Sequence, residues 1–185
     1  SLGEGKYEEV KKTSAFCFYL GIAAAIVVMI IFFVFMDPIV KGIGADENTY
    51  GFAKQYLTYI ASGSIFVVIS TAFGNIVRSE GAAKVSMAGM MLGTVVNIVL
   101  DPIMILYLGM GVAGAAIATV IGNISTVIFY LIYLKKGKTI LDISKSHFKI
   151  TKKIAKNVFT IGIPASITNV LMGLSNVILN SLLVV

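Results

Sequence analysis

Asp101, Asn97 and Thr119 are the residues of this chain whose types and spacing suit a small hard cation or a proton. Asp101 is the only charged side chain between Lys84 and Lys135. Inserting a carboxylate at the centre of an apolar helix costs roughly 2.5–3.5 kcal/mol. Such residues face a bundle interior or a water-filled cavity, and they handle ions or protons. Asn97 lies four residues earlier, on the same helical face. Pro102 has no amide hydrogen, so the carbonyl near position 98 loses its donor. Carboxylate, amide and loosened carbonyl together form an oxygen-rich patch of the kind such ions take. The turn Leu108-Gly109-Met110-Gly111 folds the chain back. A hairpin about Met110 sets Thr119 level with Asp101, and Asn123 level with Asn97. Thr119 is expected to offer its hydroxyl to Asp101. The alternative is that Asp101 caps a broken helix, or bonds these neighbours for packing alone.

The other polar residues carry less. Asn176 and Asn180 share a face and, with Asn123, are candidates for lining a polar cavity. Asn75 and Asn169 read as hydrogen bonds between helices. A second Asp-Pro pair, Asp37-Pro38, follows a full-length apolar run and precedes a polar loop. It reads as a helix stop with no ionic role. Asp101 differs because about two turns of apolar chain, Ile103 to Leu108, still follow it. At 1.5 Å per residue this sets it roughly 10–15 Å below the loop. Cys17 is the single cysteine, so no disulfide forms within the chain, and it reads as a packing residue. His147 has no second ligand nearby. No paired carboxylates or metal-ligand spacing support an enzyme, a metal centre beyond Na⁺ at Asp101, or a cofactor.

The elements that must position these residues are long and apolar. Of 185 residues, 57% are hydrophobic and 13% charged, and the mean hydropathy is +0.93. A soluble domain carries about 25% charged residues. Uncharged runs recur, each near or above the roughly 20 residues that cross a bilayer. They predict five spans, at about 14–36, 54–77, 84–107, 112–134 and 157–183. A soluble bundle would need polar outer faces, and a β-barrel would alternate with period two. The sequence does neither. The fold class is an all-α polytopic membrane protein with five transmembrane helices.

The net charge of +6 and pI near 9.4 follow from topology, not from a nucleic-acid partner. With Ser1 inside, thirteen of the fifteen Lys and Arg residues fall in inner segments; only Lys41 and Lys54 fall outside. The stretch 135–156 interleaves Ile143, Phe148, Ile150 and Ile154 with lysines. It reads as a helix lying on an anionic inner leaflet. Small residues recur every fourth position in the fourth span: Gly111, Ala115 and Thr119, and again Gly114, Ala118 and Gly122. That spacing permits close helix contact in a membrane. Gly162-Ile163-Pro164 is expected near the start of the fifth span. Ser1 and the apolar end at Val185 suggest a piece of a longer polytopic protein.

Several stretches point to a family: Arg78-Ser79-Glu80-Gly81, Asn97-Ile98-Val99-Leu100-Asp101-Pro102, and the run from Gly109 to Thr119. Leu2 to Lys6, Gly44-Ala45 and Ala53 to Leu57 agree. In order and spacing the chain resembles the multidrug and toxic compound extrusion (MATE) transporters. The resemblance implies part of a two-lobed, twelve-helix transporter, covering helices three to seven. Residues 1–134 would be most of the N-terminal lobe, 135–156 the basic cytoplasmic inter-lobe linker, and 157–185 the first helix of the C-terminal lobe. It implies a plasma (inner) membrane antiporter, with its N-terminal end and linker cytoplasmic, exporting cationic amphiphilic drugs in exchange for Na⁺ or H⁺. The family's first-lobe cation site would fall on Asp101, Asn97 and Thr119, with a further aspartate from helix one, outside this chain. The glutamate that some members carry early in helix seven has no counterpart in 164–185. Partners would be the drugs, membrane lipids and the remainder of the transporter. Two alternatives stand: a related flippase of lipid-linked saccharides, disfavoured because no Arg or Lys was placed within a span, and a non-transporting scaffold subunit.

Overall fold

Among the described residues, five helices are long and apolar enough to cross a bilayer. A computed structural model describes residues 7–136, 139, 141 and 152–183. The helices are α1 (Tyr7–Val34), α3 (Tyr50–Ser79), α4 (Ala83–Pro102), α5 (Gly111–Lys135) and α6 (Lys152–Leu183), with a short α2 (Met36–Gly42) after α1. In hydrocarbon every backbone N–H and C=O must be satisfied within the segment, and a helix does this locally. Polar side chains inside the spans follow the same rule. Thr71, Thr94, Thr119 and Ser125 each donate to the carbonyl four residues back.

The spans agree with expectation in number and place, with three corrections. Asp37-Pro38 does not stop the chain's helical course. α1 ends at Val34, and Asp37 and Pro38 open α2, where a proline lacks no needed donor. Asp37 also has an ionic role: its Oδ1 accepts from Lys54 Nζ at 2.7 Å and from the Tyr50 hydroxyl at 2.5 Å. Just before α3, Asp46 and Thr49 close a turn that leads into Tyr50. Asp46 Oδ1 accepts from the Thr49 amide at 2.8 Å, and Thr49 Oγ1 accepts from the Asp46 amide at 3.0 Å. Pro164 lies inside α6, not near its start; neighbouring groups in a membrane helix can absorb the missing donor. The basic stretch after Leu141, with His147, lies outside the described residues up to Lys152.

α3 is central, packed against α1, α4 and α5. Near its C-terminal end a core forms from Val10, Phe73, Val77, Val127, Tyr130 and Leu141, with Phe18 stacked on Phe73 at 5.1 Å. The chain leaving α5 is fastened there. Glu80 accepts the Tyr133 hydroxyl at 2.7 Å and the Thr139 hydroxyl at 2.6 Å. The Leu141 amide donates to Thr139 Oγ1 at 3.0 Å, and the Leu141 side chain is buried. A second core, toward the opposite end, holds Met36, Val40 and Ala61.

Between α4 and α5 the backbones nearly touch. A Cβ on Gly93 would stand 2.8 Å from the Gly122 carbonyl oxygen, and one on Gly122 would stand 2.7 Å from that of Gly93. Gly89 faces the ring of fully buried Tyr130, 2.5 Å from where its own Cβ would be. Tyr130 donates to the Ser86 carbonyl at 2.7 Å, and Ser86 donates to the Gly74 carbonyl at 2.8 Å, tying α5 to α4 and α4 to α3. The expected small-residue series on α5 takes part, since Gly114, Ala118 and Gly122 are all buried. Its partners on α4, Gly89 and Gly93, escaped the sequence reading.

Two outcomes follow for the full-length protein in detergent. Gly93→Ala should destabilise it by about 1–3 kcal/mol, as overpacking does. Gly51→Ala, with open space around it, should be close to neutral; thermal unfolding of both variants checks the contrast. The hydrogen-bonded Lys54 ammonium, and then the Tyr50 hydroxyl, hold the Asp37 carboxyl below the usual carboxylate range. A depressed folded-state pKa gives stability that is present above the unfolded value and lost as pH falls through the folded one. The melting temperatures of wild type and Asp37→Asn should therefore differ slightly at neutral pH and converge below about pH 4.

Candidate cation site

α4 carries Gly89, Gly93, Asn97 and Asp101 at four-residue intervals, on one face. The two glycines bring α5 close, and the two polar residues continue the same stripe toward the C-terminal end of α4. Asn97 stands at the centre of the result. Its Nδ2 donates to Asp101 Oδ1 at 3.3 Å and to Thr119 Oγ1 at 3.4 Å. All three side chains are half-buried. The expected grouping is present, but one contact differs. The Thr119 hydroxyl donates to the Ala115 carbonyl at 2.9 Å, so it meets the Asn97 amide and not Asp101. The helix-internal bond is the shorter, and it fixes the hydroxyl's direction.

The backbone beyond Asp101 departs from the α-helix. Ile103–Tyr107 forms a wider π-type turn, and the Leu108 amide donates five residues back, to Ile103, at 3.0 Å. The Ile103 amide donates to the Leu100 carbonyl. Pro102 cannot donate to the carbonyl of Ile98, so the ladder is re-registered where the carboxylate sits. The loosened backbone expected from the sequence is therefore present.

A cleft of about 310 Å³ opens between α3, α4 and α5 and reaches this site. Asn97 and Thr119 line it, with Ser70, Asn75 and Arg78 from α3 and Asn123 from α5. Asn123 donates to the Thr119 carbonyl at 2.9 Å and accepts the Ser70 hydroxyl at 2.6 Å. It thus lines a polar cavity, as expected. Asn176 is exposed on α6 and is not part of the cleft, and the Asn180 side chain lies outside the described residues. Arg78 overturns one argument made from the sequence. α3 runs to Ser79, two residues beyond the expected span, so a guanidinium does lie within a helix and on a cavity wall. Among the described residues no group of three or more His, Cys, Asp or Glu could hold a metal ion.

The sequence profile of the MatE family matches residues 1–103. The chain belongs to the MatE family. It is 34% identical over 179 residues to the multidrug export protein MepA of Staphylococcus aureus, and 33% identical to that of Staphylococcus saprophyticus. Each alignment covers 97% of this chain and 40% of the relative, so the chain spans about 40% of the length of the curated relatives it matches. Its fold is similar to the inward-facing conformation of a multidrug resistance MATE family transporter of the MOP superfamily. That match has 30% identity and a TM-score of 0.84, covering 89% of this chain and 38% of that one. A MOP superfamily transporter from Pyrococcus furiosus matches with 31% identity and a TM-score of 0.84, over 94% of this chain and 39% of that one.

Within this MatE chain the matched region includes Asn97 and Asp101 and ends before Thr119. Ser70 and the α4 glycines were missed in the sequence. For Ser70 no periodic signal existed. For Gly89 and Gly93 the signal was the four-residue spacing shared with Asn97 and Asp101. The Asn97–Thr119 bond is long, so its coupling is weak. A double-mutant cycle of Asn97→Ala and Thr119→Val, read by unfolding of the full-length protein, should give about 0.6 kcal/mol.

Proposed function

We propose that this chain is part of a cation-coupled antiporter that exports cationic amphiphilic compounds. The observation that carries the reading is Asn97 bridging Asp101 and Thr119 inside a membrane span. The names of the MepA relatives support the export of drugs. Asp101 supplies the charge that draws Na⁺ or a proton. Asn97 and Thr119 supply neutral oxygens. In the arrangement described, the Asn97 amide turns its NH₂ toward both neighbours, in the place a positive ion would take. Rotating that amide by half a turn presents its oxygen instead, and Na⁺ then meets carboxylate, amide and hydroxyl oxygens together. A proton needs no such rotation, since it sits on the carboxylate itself. A second carboxylate from the remainder of the transporter would complete the site.

Binding at Asp101 does work only if the ion favours one conformation over another. The re-registered turn at Ile103–Tyr107, directly after the carboxylate, is the element in this chain best placed to respond. The excess of thirteen Lys and Arg over two supports an orientation in a plasma membrane with the start of α1 and the chain after α5 on the cytoplasmic side. Residues 1–134 then belong to the N-terminal lobe, 135–156 to the linker and 157–185 to the C-terminal lobe.

The test is ethidium efflux from vesicles holding the full-length protein under an imposed Na⁺ or H⁺ gradient. Asp101→Asn should abolish gradient-driven efflux, and Asn97→Ala should slow it by about tenfold, the loss expected for one well-placed polar ligand. Undiminished export by Asp101→Asn would refute the assignment.

A further inference from the structure

The inner end of the α3–α4 face carries a feature that cation export does not use. Arg78 lies in the last turn of α3 and lines the polar cleft. Its nearest described polar contact is the Met90 sulfur, at 4.0 Å from Nη2, too soft an acceptor to satisfy a guanidinium. Asn75, three residues earlier on the same wall, is also exposed toward the cleft. Together they present hydrogen-bond donors, and among the described residues lining the cleft there is no Asp or Glu, a setting that suits the oxygens of a phosphate.

A second cavity adjoins the first. It has a volume of about 260 Å³ and is lined by Met87, Met90, Met91, Thr94 and Val95, sharing Met90 and Thr94 with the polar cleft. Met87, Met91 and Val95 follow at four-residue intervals, so the groove runs along α4 from its inner end toward mid-membrane. Methionine side chains are flexible and polarizable and adapt to irregular apolar chains. A free phosphate would use the donors and leave this groove unexplained. A cationic drug would meet Arg78 with the wrong sign. The two cavities joined, donors at the inner level and a methionine channel rising from them, fit one molecule: an anionic amphiphile lying as an inner-leaflet lipid lies.

We propose that Arg78 and Asn75 hold the phosphate of an inner-leaflet anionic phospholipid whose acyl chain occupies the Met87–Met91–Val95 groove. Arg78 and Asn75 lie on the same cleft as Asn97 and Thr119, and occupancy by the lipid does not require that the cation assignment be right.

The test is native mass spectrometry of the purified full-length transporter with equal amounts of phosphatidylglycerol and phosphatidylcholine added. Wild type should retain phosphatidylglycerol in preference. Arg78→Gln should lower that retention by about fivefold, the effect of one basic residue at the membrane surface, while Arg78→Lys should keep most of it. Met91→Gln should weaken retention of the lipid with the guanidinium intact. If Arg78→Gln does not fold, Asn75→Ala and Met91→Gln carry the test on their own. Equal retention of the two lipids by wild type would overturn the proposal. So would a preference untouched by all three substitutions, or displacement of the lipid by inorganic phosphate as readily from Met91→Gln as from wild type.

Discussion

The contact between Gly93 and Gly122 is the constraint on which the rest of this structure depends. Lipid is as apolar as leucine, so helices in a bilayer gain nothing by hiding hydrophobic faces from it. They associate through close packing and polar contacts instead. Here two glycines set each backbone against the other's carbonyl oxygen. Only at that approach can Asn97, one turn along α4, reach Thr119 on α5. A bulkier residue at either position would part the helices and strand Asp101 against lipid. The chemistry of the site and the packing of the hairpin are therefore one problem, solved by a single stripe of residues.

Much of this was legible because membranes simplify the code. An uncharged run of twenty or more residues has few options, and the five spans followed from it. The depth of Asp101 and its company followed from counting along a hairpin. What failed did so where direction, not depth, decides. The Thr119 hydroxyl turned to its own helix because Ala115's carbonyl was nearer. Asp37 looked like a stop because its partner, Lys54, stands seventeen residues away across a loop, and spacing alone does not reveal such a pair. The margin of α3 hid Arg78, since a charged residue was taken to mark the end of a span when the helix ran two residues further. Ser70 joined Asn123 with no pattern to announce it.

Polar side chains in the spans fall into two groups. Thr71, Thr94 and Ser125 turn inward on their own helix and disappear from the energetics of association. Ser86, Thr126 and Tyr130 reach across, and their acceptors are backbone carbonyls on the next helix. Contacts to backbone do not depend on the partner's side chain, which suits a scaffold. Asn97, Asp101, Asn123 and Ser70 differ from both, bonded side chain to side chain in the middle of the bundle. Such bonds can be broken and remade without unfolding a helix, which suits a place where an ion comes and goes.

The fastening at Glu80 shortens a leash. Counted from Lys136, just after α5, the chain up to Lys152 could stretch to about 58 Å at full extension. Because Thr139 is held by Glu80 and Leu141 is buried among the ends of α1, α3 and α5, the distance to Lys152 is counted from Leu141. It then reaches at most about 40 Å. The start of α6 therefore lies within that shorter radius of a point set by one carboxylate.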